Sequence, residues 1–325
     1  MIMRSMRFFF RTITFGFVFI ILAISKVSAT DLEDNCLFGK VKEVHDYYID
    51  PKTMLPPRTG DCELVMRFDI KGNLIEQIRY MGMPTVTRQN ESIYSGGERK
   101  TFREVYYYNE KGKLTRKEKY TNKEKTSFEE YVRNETGRLT RIDYYYPSLS
   151  LTDYTYYDEL SNSDIYKWDN NGNLLSIEYK EYNNGAEYSK GRIEYVRNSN
   201  GKVIEILNKD NTGKITEHDY MNEKDDKRLS RVYYPETKKT KTFTYTWFDN
   251  GKTSKCTINY FNEYSIIYEY DKKGFCITEI YDYKTSKNVY KYKYDSYDAY
   301  GNWRVSQDYR DGNLTFMTRR EITYY

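Results

Sequence analysis

After about residue 64, polar and apolar positions alternate with a period of two. Phe243, Tyr245 and Trp247 are separated by Thr242, Thr244 and Thr246, and Tyr290, Tyr292 and Tyr294 by Lys291 and Lys293. Tyr264, Ile266, Tyr268 and Tyr270 alternate in the same way with Ser265, Ile267 and Glu269. One face of each segment is aromatic and the other polar or mixed, which predicts antiparallel strands with one wetter side. No stretch sustains an apolar period of 3.6, so no amphipathic helix is predicted.

The strands are punctuated by glycine. Nine turns align on Gly72, Gly112, Gly137, Gly172, Gly201, Gly213, Gly251, Gly274 and Gly301. Three residues before the glycine stand Asp69, Asn109, Asn134, Asp169, Asn198, Asp210, Asp271 and Asp298; only the Gly251 turn departs, with Asp249 two before it. Two residues after it stand Leu74, Leu114, Leu139, Leu174, Val203, Ile215, Thr253, Cys276 and Trp303. Asp or Asn opening a type I turn accepts a hydrogen bond from the backbone two residues on. Glycine in fourth position takes the left-handed conformation that lets the next strand leave with the right twist. Each copy therefore predicts a β-hairpin, with a degenerate copy near Asp225–Leu229. The expected fold is all-β: a repetitive antiparallel hairpin meander forming an extended, twisted or curled sheet over residues 64–325. Residues 30–63, with Pro51, Pro56, Pro57 and Gly60, read as an irregular lead-in or N-terminal cap, and residues 81–100 as a longer loop. A repeat array needs caps because its end strands otherwise offer open edges.

Composition agrees with strands: the 325 residues include 38 Tyr and 15 Phe but only 6 Pro, and aromatic residues suit a pleated, half-buried surface. The N-terminus changes the charge picture. Arg4, Arg7 and Arg11 precede an apolar run from Ile13 to Ile24, and Val27-Ser28-Ala29 offers small residues for cleavage, so residues 1–29 read as an export signal. The run is shorter than the roughly 20 residues a membrane-spanning helix needs, although Lys26 near the cut leaves an uncleaved anchor as the alternative. No later segment is apolar enough to span a membrane as a helix. Residues 1–29 hold Arg4, Arg7, Arg11 and Lys26 and no acid, so their removal leaves 48 basic residues against 48 acidic ones. A neutral chain with interspersed Lys and Glu, as in Arg116-Lys117-Glu118-Lys119, does not predict nucleic acid as a partner.

Tyr268-Glu269-Tyr270-Asp271-Lys272-Lys273-Gly274 and Tyr297-Asp298-Ala299-Tyr300-Gly301-Asn302-Trp303 resemble the tyrosine–aspartate (YD) repeats of the RHS superfamily. The closing Arg319-Arg320-Glu321-Ile322-Thr323-Tyr324-Tyr325 resembles the end of short secreted YD-repeat-like proteins of Bacteroidota. The resemblance covers roughly residues 64–325. It implies long antiparallel sheets, which in large members of the family coil into hollow shells. This chain is far shorter than those, and its repeat runs to the last residue without a distinct toxin domain.

Candidate chemistry is sparse. Four cysteines in an exported chain allow three disulfide connectivities; the sequence-local one pairs Cys36 with Cys62 and Cys256 with Cys276, and the alternative is partly buried thiols. No close cysteine pair predicts zinc. His45 and His218 stand far apart without a companion motif, and no phosphate loop, nucleophile elbow or zinc-protease pattern occurs. The turn aspartates read as caps rather than calcium ligands. No cofactor is expected. The tyrosines read mostly as core, with an exposed ring stripe for stacking on sugars or docking a protein as the functional alternative. Runs such as Tyr106-Tyr107-Tyr108 and Tyr144-Tyr145-Tyr146 place rings on both faces of a sheet.

The expected function is that of an exported, non-enzymatic binding or structural protein of the periplasm, cell surface or exterior. Its expected partner is an envelope protein or polysaccharide. One alternative is a carbohydrate-binding or glycan-processing protein using an exposed aromatic face. Another is an accessory of an RHS-type toxin system.

Overall fold

The alternating segments form strands that reverse at the glycines, and their ends meet. The computed structural model describes residues 32, 35–49, 51, 62–81, 100–149, 156–183, 186–221 and 229–325. Residues 1–29, most of the Pro51–Gly60 stretch, the loop over 82–99 and the degenerate turn before Leu229 lie outside the described residues. The first strands are β1 (Val41–Ile49), β2 (Cys62–Phe68), β3 (Leu74–Met81), β4 (Lys100–Tyr108), β5 (Leu114–Thr121), β6 (Glu124–Arg133) and β7 (Leu139–Leu149). Then come β8 (Tyr156–Trp168), β9 (Leu174–Asn183), β10 (Ala186–Arg197), β11 (Val203–Asp210), β12 (Ile215–Met221), β13 (Leu229–Tyr234) and β14 (Lys239–Trp247). The last are β15 (Thr253–Tyr260), β16 (Tyr264–Tyr270), β17 (Cys276–Tyr283), β18 (Lys287–Asp295), β19 (Val305–Arg310) and β20 (Asn313–Tyr324).

Every strand pairs antiparallel with its neighbours in sequence, and β20 pairs with β1, so the 20 strands close into a barrel. This corrects the expectation of an extended, twisted or curled sheet. The reason lies in residues 41–49, read from sequence as part of an irregular lead-in. Val41-Lys42-Glu43-Val44-His45-Asp46-Tyr47-Tyr48-Ile49 is instead the closing strand, facing β20 from Val41↔Tyr324 to Ile49↔Met317 and β2 from Glu43↔Arg67 to Tyr47↔Cys62. Closure removes the two edges that an open meander would expose.

Eight of the nine glycine turns connect an even-numbered strand to the odd one after it, so they share one rim of the barrel. The ninth, at Gly213 between β11 and β12, sits with the more variable loops of the opposite rim. At the first turn the Gly72 amide donates to the Asp69 carbonyl at 3.0 Å, and the Asp69 amide to the Asn73 carbonyl at 2.9 Å. The Asp69 carboxylate accepts from the amides of Lys71 (2.8 Å) and Asn73 (2.9 Å), while Gly72 has φ +88°. At Gly251 the turn carbonyl comes from Phe248, and Asn250 supplies the capping side chain. A bulge follows the turn: Arg67 faces Glu76 but Phe68 faces Leu74, which leaves Ile75 over. The bulge allows both residues flanking the turn, Phe68 and Leu74, to be buried in one cluster.

The register gives the ring two continuous faces. Inward point Val44, Met66, Tyr106, Tyr131, Tyr144 and their counterparts around the ring. Outward point ladders of alternating charge, such as Glu43–Arg67 (2.8 Å), Arg67–Glu76 and Arg103–Glu76 (2.5 Å), crossing four strands. The inner face holds two local hydrophobic clusters. One gathers Leu32, Leu37, Val41, Val44, Met66, Phe68 and Leu74; the other gathers Leu174, Ile177, Tyr195 and Ile206.

Leu32 and residues 35–40, with Leu37 among them, belong to a short strap that lies across the glycine rim before β1. The Phe38 amide donates to Asn302 Oδ1 at 2.7 Å, and Asn302 Nδ2 donates back to the Phe38 carbonyl at 2.8 Å. The Tyr325 amide donates to the Lys40 carbonyl at 3.0 Å. Deeper in the seam, Arg320 makes two 2.7 Å bonds to the Asp46 carboxylate and lies 3.6 Å from the Trp303 ring centroid. Both members of this pair are buried. Asp46→Asn leaves the buried guanidinium without its counter-charge and should cost about 3–5 kcal/mol. Urea unfolding followed by circular dichroism measures it, and a loss below about 1 kcal/mol, typical of an exposed pair, would show that the seam does not depend on this bridge.

Candidate functional site

The inner face is the chemically distinctive surface, because the period of two delivers the tyrosines to it. Half-buried phenols there are tied to carboxylates on the same or a neighbouring strand. Tyr106 donates to Glu104 at 2.7 Å, Tyr131 to Glu129 at 2.5 Å, Tyr144 to Asp164 at 2.8 Å, and Tyr281 and Tyr292 to Glu279 at 2.6 and 2.7 Å. Lysines complete the network: Lys117 pairs with Glu104 at 3.0 Å and Lys119 with Glu129 at 2.6 Å. Burial, and then the neighbouring carboxylates, push the Tyr106, Tyr131, Tyr144 and Tyr281 hydroxyls far above the usual phenol range. Glu104 is held below the ordinary carboxylate range: burial opposes its charge, but Lys117 and the Tyr106 hydroxyl outweigh it. Asp164 shifts the other way, upward, because burial and the charge of Glu129 outweigh the Tyr144 hydrogen bond.

At the loop rim, rings gather at the mouth. Tyr260 stacks on Tyr264 at 4.5 Å between centroids, and Tyr264 on Tyr283 at 5.4 Å. Lys241 lies 4.4 Å from the centroid of the Tyr260 ring, and burial lowers its ammonium pKa. Tyr283 is 40% exposed, so this aromatic run reaches solvent.

At the glycine rim the tyrosine before the turn has a role that the repeat pattern did not disclose. Tyr108 donates its hydroxyl to the Leu74 carbonyl of the preceding hairpin at 2.8 Å, and Trp168 donates its indole N–H to the Leu139 carbonyl at 2.7 Å. Arg133 and Arg197 reach the Leu114 and Leu174 carbonyls at 3.4 and 3.3 Å, and Tyr294 the Cys276 carbonyl at 2.9 Å. Each bond ties one repeat to the one before it. At Tyr108, Arg133, Trp168 and Arg197 the usable signal was a residue directly before the turn Asp or Asn that carries a donor at the end of a long side chain.

The turn residues from Asp69 to Gly301 thus build the rims. His45 and His218 both face outward, His45 beside Glu43 at 3.0 Å and His218 beside Glu205 at 3.0 Å. The cysteines do not sit where sequence-local pairing requires. Cys36 lies in the strap at the glycine rim, whereas Cys62 begins β2 at the opposite rim. Cys256 on β15 is separated from Cys276 on β17 by the whole of β16, two strand spacings or about 9.6 Å, beyond the roughly 7 Å a disulfide can span. Neither Cys36–Cys62 nor Cys256–Cys276 is bonded. Cys256 is a buried thiol, pushed up to about 12 by burial. Among the described residues no cluster of His, Cys, Asp and Glu could hold a metal.

The outer face is rich in charge. No helix among the described residues is long and apolar enough to cross a membrane, which leaves crossing by strands to consider. Arg67, Arg103, Arg116, Arg141, Arg192 and Lys291 project outward from within the strands. A lipid-facing Arg or Lys at the bilayer midplane costs about 2–4 kcal/mol each. Arg67, Arg103, Arg116, Arg141 and Arg192 are each paired with an acid on the same or a neighbouring strand.

No protein-family model matches the chain, and no curated protein matches it. Among solved structures, a porin-like protein from Bacteroides uniformis resembles it over 87% of this chain and 98% of that one, at 10% identity and a TM-score of 0.34. The TcdB2-TccC3-Cdc42 complex resembles it over 78% of this chain and 19% of that one, at 10% identity and a TM-score of 0.20. Likenesses this distant carry no argument about site or function.

The raised phenols set an alkaline limit on stability. An unfolded tyrosine ionises near about pH 10. The raised inner phenols make the native state hold more protons above that pH, so stability is lost as pH rises further. Absorbance at 295 nm should therefore rise in a cooperative step that coincides with loss of the β signal. A smooth titration of most of the 38 tyrosines in folded protein would contradict an inward aromatic face. For Asp164, whose native carboxyl is raised, the contribution to stability is present below the unfolded value and falls as pH rises through the native one. Asp164→Asn should gain on the wild type as pH is raised from about 4 to about 7, read as the difference between denaturant midpoints.

Proposed function

We propose that this chain is an exported, non-enzymatic binding protein of the cell envelope, built from YD-like repeats, with a polysaccharide as its ligand. The observation that carries the reading is the sorting of chemistry by the closed ring. Outer charges are paired along ladders, with isolated phenol–carboxylate bonds such as Tyr107–Glu118, while from β4 to β18 the inner face repeatedly sets aromatic rings, phenols and carboxylates together. Sugars are bound by that combination: rings pack against their C–H faces, and polar groups fix their hydroxyls. The stacked run Tyr260–Tyr264–Tyr283 at the loop rim is the part of this surface nearest to solvent.

Binding of the purified chain to a panel of neutral and acidic polysaccharides, followed by calorimetry, tests this. Tyr283→Ala should weaken binding about tenfold, which corresponds to about 1.4 kcal/mol, with an unchanged far-UV spectrum. An absence of binding across the panel would leave a structural role in the envelope. Asp164 favours a second reading, in which Glu129 and Asp164 act on a glycan as an acid pair. A raised carboxyl beside a second one is the arrangement that glycoside hydrolysis uses. Release of reducing ends by the wild type and not by Asp164→Asn would select the enzymatic reading.

A further inference from the structure

The topology sorts the four cysteines by rim and leaves one pair together. Cys36 is in the strap that crosses the glycine rim, and Cys276 is the second residue after Gly274, the turn glycine of the β16–β17 hairpin at that rim. A Cβ placed on Gly274 would lie 3.7 Å from Cys36 Sγ and 3.8 Å from Lys252 Nζ. Gly274 and Cys276 are two residues apart, at most about 7 Å between Cα atoms. Cys276 also occupies the position that in the first repeat sends Leu74 into the cluster shared with Leu32 and Leu37 of the strap. The two cysteines therefore flank the same corner of the mouth, one in the strap and one in the barrel wall, where Cys276 Sγ donates to the Thr278 carbonyl at 3.4 Å and would turn from it to reach Cys36. Lys252, which donates to the Lys273 carbonyl at 2.7 Å, brings a cation to that corner, and a nearby cation favours the reactive thiolate. Cys62 at the other rim and Cys256 across β16 are placed to compete with neither.

We propose that Cys36 and Cys276 form a disulfide under oxidising conditions, and that this bond locks the N-terminal strap onto the glycine rim. The chemistry is thiol–disulfide exchange with an external disulfide, either a small molecule or a protein oxidant. The Cys36 thiolate attacks one sulfur of that disulfide, forming a mixed disulfide and expelling one thiolate. The Cys276 thiolate then attacks Cys36 Sγ and expels the second. Two protein thiols are oxidised to one disulfide, the external disulfide is reduced to two thiols, and the two protein protons pass to the expelled thiolates. The bond fastens Leu32 and Leu37 in the mouth and ties the strap before β1 to the β16–β17 hairpin, independently of the hydrogen bonds at Asn302.

The test treats the purified, reduced, folded chain with oxidised glutathione, alkylates it after unfolding, and maps peptides by mass spectrometry without reduction. The expected product is one linked pair of peptides containing Cys36 and Cys276, with Cys62 and Cys256 alkylated. The denaturation midpoint should be higher for oxidised than for reduced protein, and this difference should vanish in Cys36→Ser and in Cys276→Ser. The double variant Cys62→Ser/Cys256→Ser should keep both the linked peptide and the shift, which guards against a single variant that fails to fold. Linkage through Cys62 or Cys256, or four alkylated cysteines after oxidation of folded protein, overturns the proposal.

Discussion

The barrel depends on the pairing of its first strand with its last. β1 contacts β20 across a separation of more than 270 residues, as in the Arg320–Asp46 bonds, whereas the other neighbours in the ring are joined by local connections. Nineteen strands can form one hairpin after another, but that array ends in the two open edges of β2 and β20. Only a strand that fits both edges closes it, and β1 meets β2 and β20 in register. The entropy of so long a closure must be offset by contacts that exist only once the ring is shut. The buried bidentate pair and the Asn302 bridge to the strap are such contacts.

The repeats themselves are held by a smaller device used again and again. A bulge follows most of the rim turns, and at several of them a long donor from the next hairpin reaches the carbonyl of the residue that opens the return strand. Tyr, Trp and Arg all serve because only the reach and the N–H or O–H matter. A buried carbonyl without a partner costs about 1–3 kcal/mol, which gives a physical reason for an aromatic or arginine to precede the turn acid.

Closure also turns an alternating sequence into an inside and an outside. The same period of two that gives each strand a polar and an aromatic side sets the charge ladders on the outer face and the phenols around an enclosed space. Salt bridges on the outside contribute little individually. The phenol–carboxylate pairs inside sit in a drier setting, where each hydrogen bond is stronger and each unpaired group more costly. The functional reading rests on that inner surface.

The strands, their aromatic face and the hairpins could be read from the sequence alone, because each is set by residues within a few positions of one another. Asp298, Gly301 and Asn302 specify a turn wherever they occur. Closure was not legible. Residues 41–49 carry no turn signature and only a broken alternation, and their partners lie at the far end of the chain. Sequence proximity also misled for the cysteines, since Cys36 and Cys62 flank a strand and so lie at opposite ends of it. Which face of each strand points inward, which rim each turn occupies and which rim each cysteine occupies follow from the ring. That ring is decided by one long-range pairing, and local patterns carry no record of it.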